Sequence, residues 1–158
     1  MPTDTFSEDD KHHLTAAIDA AVRNIESGGG PFGAVLVAPG GKEYASGNRV
    51  TANNDPTAHA EVMAIRRACA DMQTFDLTGS VLYSSCEPCP MCATAARWAR
   101  VARVVFAADR GDAAAAGFDD QAFYDLLAQP DGLIRQAPHQ KRLAPFHEWA
   151  ANLDRVDY

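Results

Sequence analysis

"SVLYSSCEPCPMCATAARWARVARVVFAAD", residues 80–109, reads as strand, turn, helix and strand. "SVLYSS" (80–85) is short and apolar, with the make-up of a buried strand. "PCPMCATAARWAR" (88–100) is helix-forming, with proline at its start, where a backbone N–H has no intrahelical partner to lose. "ARVVFAAD" (102–109) is strand again. A strand–helix–strand unit predicts a parallel crossover with its helix laid on the sheet. The turn within it also holds three of the chain's four cysteines, and Cys89-x-x-Cys92 has metal-ligand spacing.

Working outward, the same rhythm continues behind a hairpin. A first helix opens at Ser7 with Asp10 three positions on, a relative of the capping box. Leu14, Ile18, Ala21, Val22 and Ile25 share one of its faces. "GGG" (28–30) terminates it; with no strand before it and no Gly-Lys-Ser/Thr after it, the triplet is not a phosphate loop. "FGAVLVA" (32–38) is a buried strand, and "PGGK" (39–42) turns into a second strand around Tyr44 to Val50. "NNDP" (53–56) predicts a helix start with Asp55 as N-cap and Pro56 first in the helix, running on through "TAHAEVMAIRRACADM" (57–72). Further helices are expected over Asp119–Leu127 and about Pro145–Leu153, the last with Phe146, Trp149 and Ala150 as its apolar stripe. The expectation is one domain over residues 1–158, a three-layer α/β/α sandwich on a mixed sheet of roughly five strands. Ligands in such sheets gather at the strand C-terminal ends.

Composition narrows the class of function. At 158 residues, 47% apolar and 22% charged, the chain is globular and large enough for one sizeable core. Four cysteines do not make a disulfide framework, and the opening "MPTDTFSEDD" is acidic and polar rather than a secretory leader. No apolar run approaches the roughly 20 residues of a membrane span. A soluble, cytoplasmic protein with no membrane partner is expected. The net charge of −7, from 21 acids against 14 Lys and Arg, disfavours a nucleic-acid partner, whose phosphates call for a basic face. The densest basic cluster, Arg97, Arg100 and Arg103, reads as a solvated face near a helix end. A small-molecule partner follows.

Two thiols need further ligands. Of five histidines, His12 and His13 lie among acids in the first helix and read as solvent-facing, His139 sits in an irregular stretch, and His147 is in the last helix. His59 differs, being in a helix's first turn with Glu61 two positions later. His59-Ala60-Glu61, then the 26 residues from 62 to 87, then Pro88-Cys89-Pro90-Met91-Cys92 places three N/S ligands at two helix N-termini. The interval holds one helix and one strand, enough for a crossover that joins the two ends. Helix N-termini favour negative charge and thus thiolates. One imidazole and two thiolates suit one zinc ion per chain and cancel its charge. Cys86 reads as a buried neighbour, although as a fourth ligand it would close the site; Cys69 reads as a small core residue. The fourth position is then open to water, and Glu61 is the base that takes and passes on its proton.

A histidine, a non-ligating glutamate and Pro-Cys-x-x-Cys form the zinc-deaminase signature. Through "GGPFGAVLV" (29–37), "NDPTAHAEVMAIRRAC" (54–69), "LYSSCEPCPMC" (82–92), "AGFDD" (116–120) and the closing Tyr158, the chain resembles the cytidine and deoxycytidylate deaminase superfamily, most of all its bacterial guanine deaminase branch. The resemblance implies a cytidine deaminase-like fold and hydrolysis of guanine to xanthine and ammonia. It implies zinc on His59, Cys89 and Cys92, with Glu61 shuttling protons. It further implies a base held by Phe32, Asn48 and Ala60, with Asp120 accepting from a ring N–H. Tyr158 would close a lid segment, about 144–158, that is swapped in a homodimer. On their own, Phe32 reads as core and Asn48 as a turn residue. Guanosine, ammeline or cytosine are alternative substrates; a tRNA adenosine deaminase and a non-catalytic zinc module are the readings from other classes.

Overall fold

The Ser7 hydroxyl accepts from the Asp10 N–H while the Asp10 carboxylate accepts from the Ser7 N–H, so the capping box forms and starts α1 (Glu8–Glu26). The computed structural model describes residues 6–128, 133–138 and 140–157. The face of α1 that meets the sheet is not its most apolar one. Ala17, Ala20, Ala21 and Asn24 are buried, whereas Ile18, Val22 and Ile25 stay 40–52% exposed. Close approach decides this: a Cβ on Gly33 would come within 2.3 Å of the Ala17 carbonyl, so only small residues fit between helix and strand.

Four strands form one mixed sheet among the described residues: β1 (Gly33–Val37), β2 (Glu43–Gly47), β3 (Val81–Cys86) and β4 (Arg103–Ala108), in the order β2-β1-β3-β4. β1 is antiparallel to both β2 and β3, and β3 is parallel to β4. The path from β2 to β3 therefore steps over β1, while β3 to β4 is the adjacent parallel crossover expected from residues 80–109. Side-chain alternation splits the core into two layers. Val35, Tyr83 and Val105 face Ala17 of α1. Leu36, Leu82 and Tyr44 face the alanine stripe Ala60, Ala64 and Ala68 of α3 (Ala60–Met72) and Ala96 of α4 (Pro90–Trp98). The three-layer arrangement holds.

Several expectations shift. The sheet has four strands rather than five because Asp109 and Asp112 form a reciprocal capping box after β4 and the alanine-rich run continues as a helix, α5 (Arg110–Ala115). The second strand ends at Gly47, not Val50: Asn48 Oδ1 takes the Val50 N–H at 3.1 Å, and the chain enters a single helical turn, α2 (Val50–Asn53). Asp55 is not an N-cap. Its carboxylate takes the Thr57 N–H and hydroxyl at 2.8 and 2.6 Å in a local turn, which moves the helix start on to His59 as N-cap. The helix after β3 likewise starts later, with Cys89 as N-cap and Pro90 first in the helix. α6 (Asp120–Ala128) and α7 (Ala144–Ala151) lie close to their expected places, but neither buries a side chain. His13 is not solvent-facing: it packs 5.1 Å from the Tyr83 ring, and its Nδ1 lies 2.8 Å from Glu43. No described helix is long and apolar enough to cross a membrane.

Candidate metal centre

Two helix starts meet at the C-terminal end of β3. His59 has extended backbone angles (φ −66°, ψ 153°) and makes no side-chain capping bond, so its ring is free to face α4. Cys89 caps α4, and Cys92 follows one turn in. His59 Nδ1 lies 3.5 Å from Cys89 Sγ and 3.5 Å from Cys92 Sγ, and all three ligand atoms fall within 4.8 Å of one another. These separations suit one cation. With Zn–S near 2.3 Å and Zn–N near 2.0–2.1 Å, a tetrahedral angle sets N and S about 3.6 Å apart. The donor set fits zinc in both chemistry and size.

Charge is already arranged for it. The Cys89 thiol is pulled down to about 4, first by the hydrogen bond from Cys92 and then by His59. That same bond pushes Cys92 up, aided by burial and the nearby Glu61. His59 is raised by its bond to Cys89. Metal binding displaces the protons of both thiols, so affinity for the cation falls as pH falls.

Cys86 does not join the cluster. Its thiol points to the Asp109 carbonyl at 3.7 Å, and burial pushes it up to about 11, so it stays a neutral thiol. The parallel pairing of Cys86 with Ala108 is what brings that carbonyl alongside. Cys69 is a half-buried thiol packed against the core.

Glu61, second in α3, is buried at 7% exposure beside the three ligands. Ser84 Oγ donates to its Oε1 at 3.2 Å, and its Oε2 sits 3.5 Å from Cys92 Sγ. Loss of water around the carboxylate raises its pKa, and the negative Cys89 raises it further. A carboxyl lifted toward neutrality next to a metal-binding set is equipped for proton transfer.

The centre opens into a cavity of about 290 Å³, lined by Phe32, Asn48, Glu61, Phe118 and Asp120 among others. Phe32 is therefore not plain core, and Asn48 is more than a turn residue. Phe118 meets Phe32 edge-to-face with ring centroids 4.7 Å apart, making an aromatic wall. Asn48 spends its Oδ1 on the Val50 N–H, which turns Nδ2 into its remaining donor. Asp120, first in α6, is raised by burial and by Cys89. Ala60 packs its methyl wholly in the core and has only its backbone N–H at the α3 start to offer. Tyr158 lies outside the described residues.

Sequence reasoning missed Asn24 and Phe118. Asn24 Nδ2 donates to the Gly30 and Asn48 carbonyls at 2.8 and 2.9 Å, and so joins two segments of the cavity wall. It fills space that a side chain on Gly29 or Gly47 would need: Cβ atoms there would fall 2.3 and 2.2 Å from its amide. A polar residue in register with the alanines of α1 was the available signal. Phe118 stood inside the quoted "GFDD".

Comparison with known proteins agrees with this geometry. The sequence profile of the cytidine and deoxycytidylate deaminase zinc-binding region matches residues 7–108. The chain is 43% identical over 150 residues to guanine deaminase of Bacillus subtilis (strain 168), covering 92% of this chain and 96% of that one. It superposes on the X-ray structure of guanine deaminase from Bacillus subtilis with a TM-score of 0.90 at 41% identity, over 97% and 99% of the two chains. It matches a structure from studies of A-to-I editing by tRNA:A34 deaminases with a TM-score of 0.64 at 35% identity, over 82% and 95%.

Proposed function

The chain belongs to the cytidine and deoxycytidylate deaminase zinc-binding family, and from that premise we propose that it hydrolyses guanine to xanthine and ammonia. The observation that carries the choice of guanine is the place of Asp120. The zinc region shared across the family ends at residue 108, but the likeness to guanine deaminase covers far more of the chain. Asp120 lies beyond that region, yet lines the same cavity as Glu61 and Phe32.

One zinc ion would be held by His59 Nδ1 and the Cys89 and Cys92 sulfurs; when bound it supplies the Lewis acidity that makes water a nucleophile near neutral pH. The rest is this chain's own work. Phe32 and Phe118 wall one side of the cavity, where a purine stacks, with Asn48 Nδ2 toward its polar edge and Asp120 accepting from a ring N–H. The first N–H of α3, on Ala60, is a further donor. Glu61, held at Oε1 by the Ser84 hydroxyl, takes a proton from water and gives it to the ring nitrogen beside the attacked carbon. It passes the second water proton to the departing amine. Oxygen stays on the ring and nitrogen leaves as ammonia, so both protons are accounted for.

Residues 144–158 are read as a lid, closed by Tyr158 and exchanged between the subunits of a homodimer. What supports this is α7, which keeps Phe146 68% and Trp149 41% exposed and buries no side chain within its own chain. A small base rather than a nucleic acid is the expected partner at a net charge of −7, in the cytoplasm.

The test is ammonia release from guanine, guanosine, cytosine, adenine, ammeline and tRNA, with Glu61→Gln as blank. Guanine is expected to be turned over fastest. Faster release from tRNA would replace this reading with the adenosine-editing one.

A further inference from the structure

Two side chains outside the centre tie its metal-binding loop to the helix that carries Asp120. The Tyr124 hydroxyl donates to the Pro88 carbonyl at 2.8 Å, one residue before the ligand Cys89. Tyr124 is four residues after Asp120 in α6, so the two share a helix face one turn apart. The Arg110 guanidinium lies 3.6 Å from the centroid of the Tyr124 ring. Its Nε donates to Glu87 Oε2 at 2.7 Å, and its backbone N–H points to Glu87 Oε1 at 3.4 Å. Glu87 sits in the same loop, lines the cavity, and is itself held by its N–H on the Ala108 carbonyl at 2.7 Å.

Among the described residues, α6 is held mainly at its edge. It buries no side chain, and Phe123, Leu126 and Leu127 are 45–63% exposed. Its seat against the loop is thus the polar clasp of Glu87, Arg110, Tyr124 and the Pro88 carbonyl, not a packed core. We infer that Tyr124, stacked under Arg110, is a positioning residue that sets the Asp120 carboxylate at the working distance from the metal centre and so governs recognition of the base. The inference rests on the assignment of Asp120 to the substrate's ring N–H.

Because Tyr124 acts through Asp120, the two must be coupled. The experiment is a double-mutant cycle on the full-length zinc-loaded protein with Tyr124→Phe, Asp120→Asn and both together. Guanine kinetics, xanthine affinity by calorimetry, zinc content and Tm are measured for each. Tyr124→Phe is expected to keep its zinc and Tm while guanine KM and the xanthine dissociation constant rise about 5- to 10-fold, with kcat little changed. In the Asp120→Asn background the same change should add less than about twofold. Arg110→Lys, which keeps the charge but loses the planar stack, should reproduce the Tyr124→Phe pattern. An equal factor in both backgrounds, or loss of zinc on Tyr124→Phe, overturns the inference, since the hydroxyl would then serve the loop alone. If the wild type prefers another base, the guanine reading falls, and the same cycle run on that base still decides the clasp.

Discussion

The Glu61 carboxylate lies 3.5 Å from the sulfur of Cys92, 31 residues further along the chain. Glu61 is second in α3 and Cys92 third in α4, so the carboxylate and the thiol are placed by two helices that begin at the same end of the sheet. Glu61 keeps its second oxygen on Ser84 at the end of β3, which leaves it beside the ligand set without joining it.

Glu61→Gln keeps the shape and the Ser84 bond but removes the carboxylate proposed to carry protons. Zinc content and Tm should match the wild type, while turnover falls by about 10²–10⁴-fold, the range for a lost general acid–base. Ammonia release beside metal analysis measures both. Retained turnover would remove Glu61 from the proton path.

Cys86 and Cys92 should separate in a metal assay. Cys86→Ala loses a thiol that only reaches the Asp109 carbonyl, and is expected to hold one zinc per chain. Cys92→Ala removes one of three converging donors and should hold far less. A Cys86 variant that comes out metal-free would make the site a closed four-ligand one.

Acid sensitivity is built into the far side of the sheet. The buried Asp10 accepts from Tyr83 at 2.7 Å and pairs with Arg103 at 2.6 Å. Arg103 chiefly, then Tyr83 and Ser7, hold its carboxyl well below the ordinary 3.8, while burial and Asp10 push the Tyr83 phenol up to about 12. A lowered folded-state value means this stabilisation is full above about pH 4 and drains away as pH falls from there. Asp10→Ala should cost about 1–3 kcal/mol near neutral pH, by taking the acceptor from the buried Tyr83 hydroxyl. Urea melts at pH 7 and pH 3 should show a smaller acid loss in the variant than in the wild type. Equal losses would take Asp10 out of the acid response.

Truncation after Leu143 removes α7 and the residues beyond it. Guanine turnover should collapse while zinc content stays, and under the proposed exchange of this segment sedimentation should shift from dimer to monomer. A truncated protein with full turnover would mean the tail is no lid.

How much of this was legible beforehand depended on range. The capping box of Ser7 and Asp10 was readable because it is decided within a few residues, and so was the presence of a helix after β3, although it opens at Pro90 rather than Pro88. Asp55 shows where even short-range reading fails: two donors on Thr57 outcompeted the helix for its carboxylate. The buried face of α1 was obscured because hydrophobicity points to Ile18 and Val22, whereas contact at Gly33 selects for smallness. Asn24 went unseen for the same reason. Its partners, the Gly30 and Asn48 carbonyls, mean nothing until the end of β2 returns to the end of α1.

By itself the sequence determined the chemistry of the centre. Imidazole and thiol donors at helix starts make a set that suits zinc, with a carboxylate two residues on from the imidazole, and those spacings are local. Only the tertiary structure decided membership. Strand pairing, set by contacts across the whole chain, aimed Cys86 at the Asp109 carbonyl and away from the ligands, and stood Phe118 against Phe32. It also hung α6 on a tyrosine hydroxyl and an arginine stack. Which donors meet is a long-range outcome, because a side chain's reach is fixed locally but its neighbours are not.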